Sequence, residues 1–169
     1  MKKGLPIFYW LILLFYLILL INTVFISRDS LRSIQFIPFH SIREFIMIDN
    51  GFGHYRLVDM NIWGNILMFV PAGIYVILHN KNKSILHNIL LIFLMSLAIE
   101  IIQFIFALGA TDIDDIILNV AGGLIGLIIY QVLKKIYKTE EKVKNAVALL
   151  SLIAGVPILA LTLLLLVAN

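Results

Sequence analysis

Residues 85–108 read ILHNILLIFLMSLAIEIIQFIFAL, an almost wholly apolar run with a carboxylate, Glu100, and an amide, Gln103, set well inside it. A run of this length suffices as a helix to cross a bilayer's hydrocarbon core, which takes roughly 20 helical residues. Working outward, four further runs meet the same requirement, at about residues 5–26, 61–78, 115–133 and 146–167. The expected fold is all-α: a polytopic bundle of about five transmembrane helices. Pro71 and Pro157 fall inside two of the runs, where a membrane helix tolerates proline as a kink rather than a stop.

Composition agrees. Of 169 residues, 62% are hydrophobic and 14% charged, against nearly half and about a quarter in a soluble domain. The chain has no cysteine, which excludes disulfides and thiolate metal sites. His54, His79 and His87 show no metal-ligand spacing, no cofactor is specified, and His40 stands alone in an interfacial segment. The net charge of +3 comes without a basic, aromatic-interleaved patch, so nucleic acid is not an expected partner. Membrane lipids are.

Loop charge orients the bundle. With the N-terminus in the cytoplasm, the inner loops hold Lys2, Lys3, Lys81, Lys83, Lys134, Lys135, Lys138, Lys142 and Lys144. The outer ones hold Arg28, Arg32, Arg43 and Arg56, four against nine, which satisfies the positive-inside rule. The C-terminus then lies outside, and the first run is a retained anchor rather than a cleaved signal, for Asn22-Thr23-Val24-Phe25 offers no small-residue cleavage site. Residues 1–35 thus read as an anchor and the start of an outer loop, 36–130 as a core of three spans, and 131–169 as a basic loop and fifth span. In the outer loop, Phe36-Ile37-Pro38-Phe39-His40-Ser41-Ile42 either lies along the interface or folds back over the helices.

Polar side chains are expensive inside lipid: a carboxylate near the bilayer centre costs about 2.5 kcal/mol or more. Glu100 and Gln103 share a helix face, as do Asn61 and Asn65, while Asp112, Asp115 and Asn119 follow helical spacing. At about 1.5 Å per residue, Glu100 lies roughly 12 Å below the end of its span, Asn119 about 10 Å below Asp112, and Asn65 about 6 Å below Asn61. Antiparallel spans bring all of them into the outer half of the bilayer, which suggests a pocket opening outward. The plainer reading is that the amides join helices and that Asp112 and Asp115 cap a helix N-terminus. Asp114 reads as a solvated loop charge. Gly122 and Gly126, with Gly123 beside them, form a small-residue face that admits a second helix backbone.

These residues also carry a resemblance. Asn61-Ile62-Trp63-Gly64-Asn65-Ile66-Leu67-Met68-Phe69-Val70-Pro71-Ala72-Gly73 resembles the N-x-x-x-N-x-x-x-F-x-P-x-G signature of VanZ-like proteins. Glu100-Ile101-Ile102-Gln103 is similar to their E-x-x-Q, and Asp112 to Asn119 followed by Gly122 is similar to their D-x-x-D-x-x-x-N-x-x-G. Ile37-Pro38-Phe39 matches an upstream P-F element, so the likeness runs over residues 36–130. Many members place an arginine before the first aspartate; here the stretch is Gly109-Ala110-Thr111, and that cation's role would fall to Arg43 or Arg56.

The resemblance implies a multi-pass membrane protein of a Gram-positive cell envelope, in a family named for resistance to the lipoglycopeptide teicoplanin. It brings no reaction with it. On the residues, one reading is a protein that recognises an amphiphile, either a lipoglycopeptide or a lipid-linked wall precursor. Asn61, Asn65, Gln103, Asp112 and Asn119 would bind its head, and Glu100 and Asp115 would meet a cation or hydroxyl donors. The other is a membrane enzyme acting on a lipid head group, with Glu100 as general base and Asp115 orienting it or holding a divalent ion.

Overall fold

The computed structural model describes residues 5–26, 34–47 and 60–168. Helix α1 (Leu5–Ile21) ends in a π-helical turn, Asn22–Ile26; a two-residue strand β1 (Ile34–Gln35) and a short helix α2 (His40–Met47) follow. Then come α3 (Met60–His79), α4 (Ile85–Phe106), a second two-residue strand β2 (Thr111–Asp112), α5 (Ile113–Tyr137) and α6 (Glu140–Ala168). Lys2, Lys3, Arg28, Arg32, His54 and Arg56 lie outside the described residues.

Among the described residues, four helices are long and apolar enough to cross a membrane: Ile7–Phe25, Asn61–His79, Ile85–Phe106 and Ile113–Tyr137. The expected fifth run is also helical, within α6, whose side chains are described as far as Pro157 with Ala154 excepted. Pro71 and Pro157 sit inside unbroken helices. The expected all-α membrane bundle is therefore observed.

The chain forms two compact units, residues 22–130 and residues 1–21 with 131–169. In the second, α1 packs along α6. The first contains every residue singled out above for chemistry, and within it α4 shows an inverted pattern. Helix α4 buries Asn88, Ile92, Ser96, Glu100 and Gln103, while Leu86, Leu90, Leu94, Ile101 and Ile105 stay exposed. In water that arrangement would expose the wrong face. In lipid it is the stable one, because hydrocarbon solvates leucine and leaves an amide or carboxylate without partners.

Glycine sets the distance between α3 and α5. A Cβ on Gly122 would collide with the carbonyl oxygen of Ile66, and one on Gly126 with that of Val70. Backbone thus meets backbone along this face, as the small-residue spacing anticipated. Helix α4 covers the other side, where a Cβ on Gly123 would meet the Ile92 side chain.

The turn from α3 to α4 is built by polar side chains. The Lys83 ammonium donates to the carbonyls of Ile77 and Leu78 at 2.8 and 3.1 Å, satisfying acceptors that the end of α3 leaves open, and lies 5.7 Å from the Tyr130 ring centre. Buried Asn88 donates to the Asn82 and Ser84 carbonyls and accepts from Asn80. At its other end α4 closes on Ala107 in the left-handed region, φ 53°, with the Leu108 amide donating to the Gln103 carbonyl. Gly109, at φ 138°, then turns the chain into β2.

Candidate binding site

Strand β1 runs parallel to β2, with Ile34 opposite Thr111 and Gln35 opposite Asp112. This small pairing lays residues 34–47 against the loop between α4 and α5, so the segment around Pro38 folds back rather than extending away. Two aspartates then fasten it. Asp114 accepts from the Phe39 amide at 2.5 Å and the Ile42 amide at 3.3 Å, and Asp112 accepts from the Ser41 hydroxyl at 2.5 Å. Phe39 itself is held at φ 63°, a left-handed conformation that side chains rarely adopt.

The expectation for Asp114 is corrected here. It is fully buried at 0% exposure, not a solvated loop charge. Its carboxylate occupies the N-terminus of α2, where unpaired amides and the positive end of the helix dipole stabilise an anion. The partner lies 75 residues away in sequence, so local spacing carried no sign of it.

Asp112 performs the capping role considered for it, accepting from the Asp114 amide at 2.9 Å through its other carboxylate oxygen at the head of α5. The Asp112 amide in turn donates to Glu100 at 3.1 Å. Glu100, 3% exposed, is thus placed against the beginning of α5. The N-termini of two helices supply part of the compensation that lets carboxylates sit together in the interior.

The amides join helices. Asn65 on α3 donates to Asp115 on α5 at 2.5 Å, and Asn119 on α5 donates to Ser96 on α4 at 3.0 Å. Gln103 donates to the carbonyl of Val24 at 2.9 Å, inside the π-helical turn. Asn61 is exposed one turn above Asn65. Arg43 is exposed on α2, and Arg56 lies outside the described residues. Sequence reasoning missed Ser41, Ser96 and Thr111. Ser96 was detectable in principle, since it stands one turn before Glu100 on the same stripe; Ser41 acquires its role only through tertiary contact.

A groove of about 290 Å³ opens beside Glu100. Glu100, Thr111 and Asp112 border it, but the surface it presents is apolar, with walls from Phe36, Leu97, Ile101, Phe104, Ile113 and Ile116. Phe36, Ile101 and Phe104 are themselves exposed, so the walls continue onto the surface that faces lipid. Of the two carboxylates paired in the enzyme reading, Glu100 lines this groove and Asp115 binds Asn65. Among the described residues, Oε1 of Gln103, Oδ1 of Asn119 and, at the groove, Oγ1 of Thr111 are buried without a hydrogen-bond partner.

The family model described as VanZ/LLP1 matches residues 7–134. Protein VanZ of Enterococcus faecium is 34% identical over 169 aligned residues, covering 98% of this chain and 91% of the relative. No solved structure matches.

Proposed function

The chain belongs to the VanZ/LLP1 family, and from that premise we propose that it lowers teicoplanin susceptibility by holding an amphiphile at the outer leaflet of the cell membrane. The ligand is the lipoglycopeptide itself or a lipid-linked wall precursor. The observation that carries this reading is the groove: aromatic and aliphatic walls that continue onto lipid-facing residues close over Glu100, Thr111 and Asp112. A head group would take Glu100, Asp112 and Thr111, and an acyl chain would follow Ile101, Phe104 and Ile116 toward the lipid. Asn65, Asp115, Asn119 and Gln103 hold the helices and the π-helical turn in the register that keeps this groove open. The lysine-rich opposite loops support an outer position for this end of the core.

A second reading draws on the same carboxylate, which is buried and yet borders a cavity: Glu100 as general base toward a lipid head group.

The test is teicoplanin susceptibility of a sensitive Gram-positive host carrying wild type, Glu100→Gln or Leu97→Trp at matched membrane abundance, with vancomycin as comparator. Protection by wild type that both variants lose supports the groove. Protection that survives both would refute it. A lipid or wall-precursor species that changes with wild type and not with Glu100→Gln would favour the enzyme.

A further inference from the structure

We infer that residues 36–39 form a re-entrant element in the acyl region of the leaflet beside the end of α4, where Phe36, Ile37 and Phe39 touch lipid chains rather than water. Depth follows from the hydrogen bonds. The Asp112 amide donates to Glu100, and Glu100 lies roughly 9 Å inside the end of α4 at Phe106, at about 1.5 Å per residue. Strand β1 takes its level from there, since Gln35 is in register with Asp112. Phe36 comes next and walls the groove together with Leu97, Ile101 and Phe104 of α4. The turn after β1 therefore begins alongside the span, not above it.

The surroundings at that level are apolar. Between Glu100 and Phe106, α4 buries Glu100 and Gln103 and exposes Ile101, Ile102, Phe104, Ile105 and Phe106. Phe36 at 70%, Ile37 at 62% and Phe39 at 52% exposure extend this surface onto the turn. A contiguous apolar patch marks contact with a membrane or a partner. This one is continuous with the face of a span that meets hydrocarbon, so its occupant is lipid.

The backbone meets the condition that lipid imposes. Irregular chain is tolerated at membrane depth only where its polar groups are satisfied within the protein. Here the Ile37 amide donates to the Gln35 side chain, those of Phe39 and Ile42 to Asp114, that of His40 to the Ile37 carbonyl and that of Arg43 to the Phe39 carbonyl. Pro38 has no amide proton to satisfy. A turn in water could leave such donors to solvent; this one closes them inward and presents apolar side chains outward. The inference concerns the outside of the groove wall, so it stands whether or not the groove takes an amphiphile.

The chain has no cysteine, so a single introduced thiol can carry a nitroxide label. The experiment uses the full chain with Ile37→Cys in phosphatidylcholine nanodiscs and measures, by power-saturation electron paramagnetic resonance, collision with oxygen and with a hydrophilic nickel chelate. Ile105→Cys, 58% exposed on α4, is the lipid reference, and Lys81→Cys, in the exposed turn between α3 and α4, is the water reference. The oxygen-to-nickel ratio at Ile37 should approach that at Ile105 and exceed that at Lys81 at least about tenfold, because hydrocarbon excludes a polar chelate and admits oxygen. Phe36→Cys should read the same and serves as the test should the first variant misfold. A ratio equal to that at Lys81 would put the turn in water and overturn the inference. Weak collision with both reagents would show protein over the patch, a second copy or another partner, and would overturn it equally.

Discussion

Replacing Asp114 with alanine should release residues 36–47 from the helix core while leaving the core folded. The carboxylate is fully buried and accepts amide bonds from Phe39 and Ile42. A hydrogen bond to a charged group contributes about 1.5–3 kcal/mol. The 3.3 Å bond to Ile42 belongs at the lower end of that range, so the pair is worth about 3 kcal/mol or slightly more. At about 1.4 kcal/mol per factor of ten, the open population should rise at least about a hundredfold. The assay is hydrogen–deuterium exchange of the protein in nanodiscs, read on peptides covering residues 36–47 and compared with peptides from α4 and α5. Exchange in the segment should accelerate by that factor, with α4 and α5 unchanged. Asp114→Asn, which keeps one acceptor oxygen, should lie between. Unchanged exchange of 36–47 in Asp114→Ala would refute the anchoring argument; equal acceleration throughout α5 would show that the aspartate supports the core instead.

The glycine face makes a sharper demand. Gly126→Leu puts a side chain where the Val70 carbonyl already lies, and since backbone cannot step aside cheaply, a loss of about 3 kcal/mol or outright misfolding is expected, read as a fall in melting temperature or loss of monodispersity. Gly64→Ala, in a position with nothing within 4 Å of a new Cβ, should melt like wild type. Lys83→Met removes two bonds at the end of α3 and should lower stability by about 1 kcal/mol after discounting for partial exposure; an unchanged melt would show that water replaces the ammonium without loss. The absence of cysteine makes topology directly measurable. In intact cells a membrane-impermeant maleimide should label Ala110→Cys and spare Asn82→Cys, and the reverse pattern would invert the orientation on which the outer-leaflet assignment depends.

Much of this architecture is visible in the amino-acid order because lipid makes it a local matter. A helix in hydrocarbon satisfies its own backbone, so run length located the spans, and spacing of three and four put Glu100 with Gln103 and Asn61 with Asn65. The same logic paired Gly122 with Gly126 on a face open to another backbone. Partnership was a different question. In a helix whose every face is apolar, leucines that meet lipid and those that meet protein look alike, and only the polar minority marks the inner side; Ser96 belongs to that minority and is easily overlooked. The fastening of α2 to Asp114, the Gln103 bond to Val24 across 79 positions, and the apolar walls beside Glu100 arise from contacts between segments far apart in the chain. Periodicity reports which face a residue shares, and tertiary packing decides what that face meets, because a hydrogen bond depends on position in space and carries no memory of sequence distance.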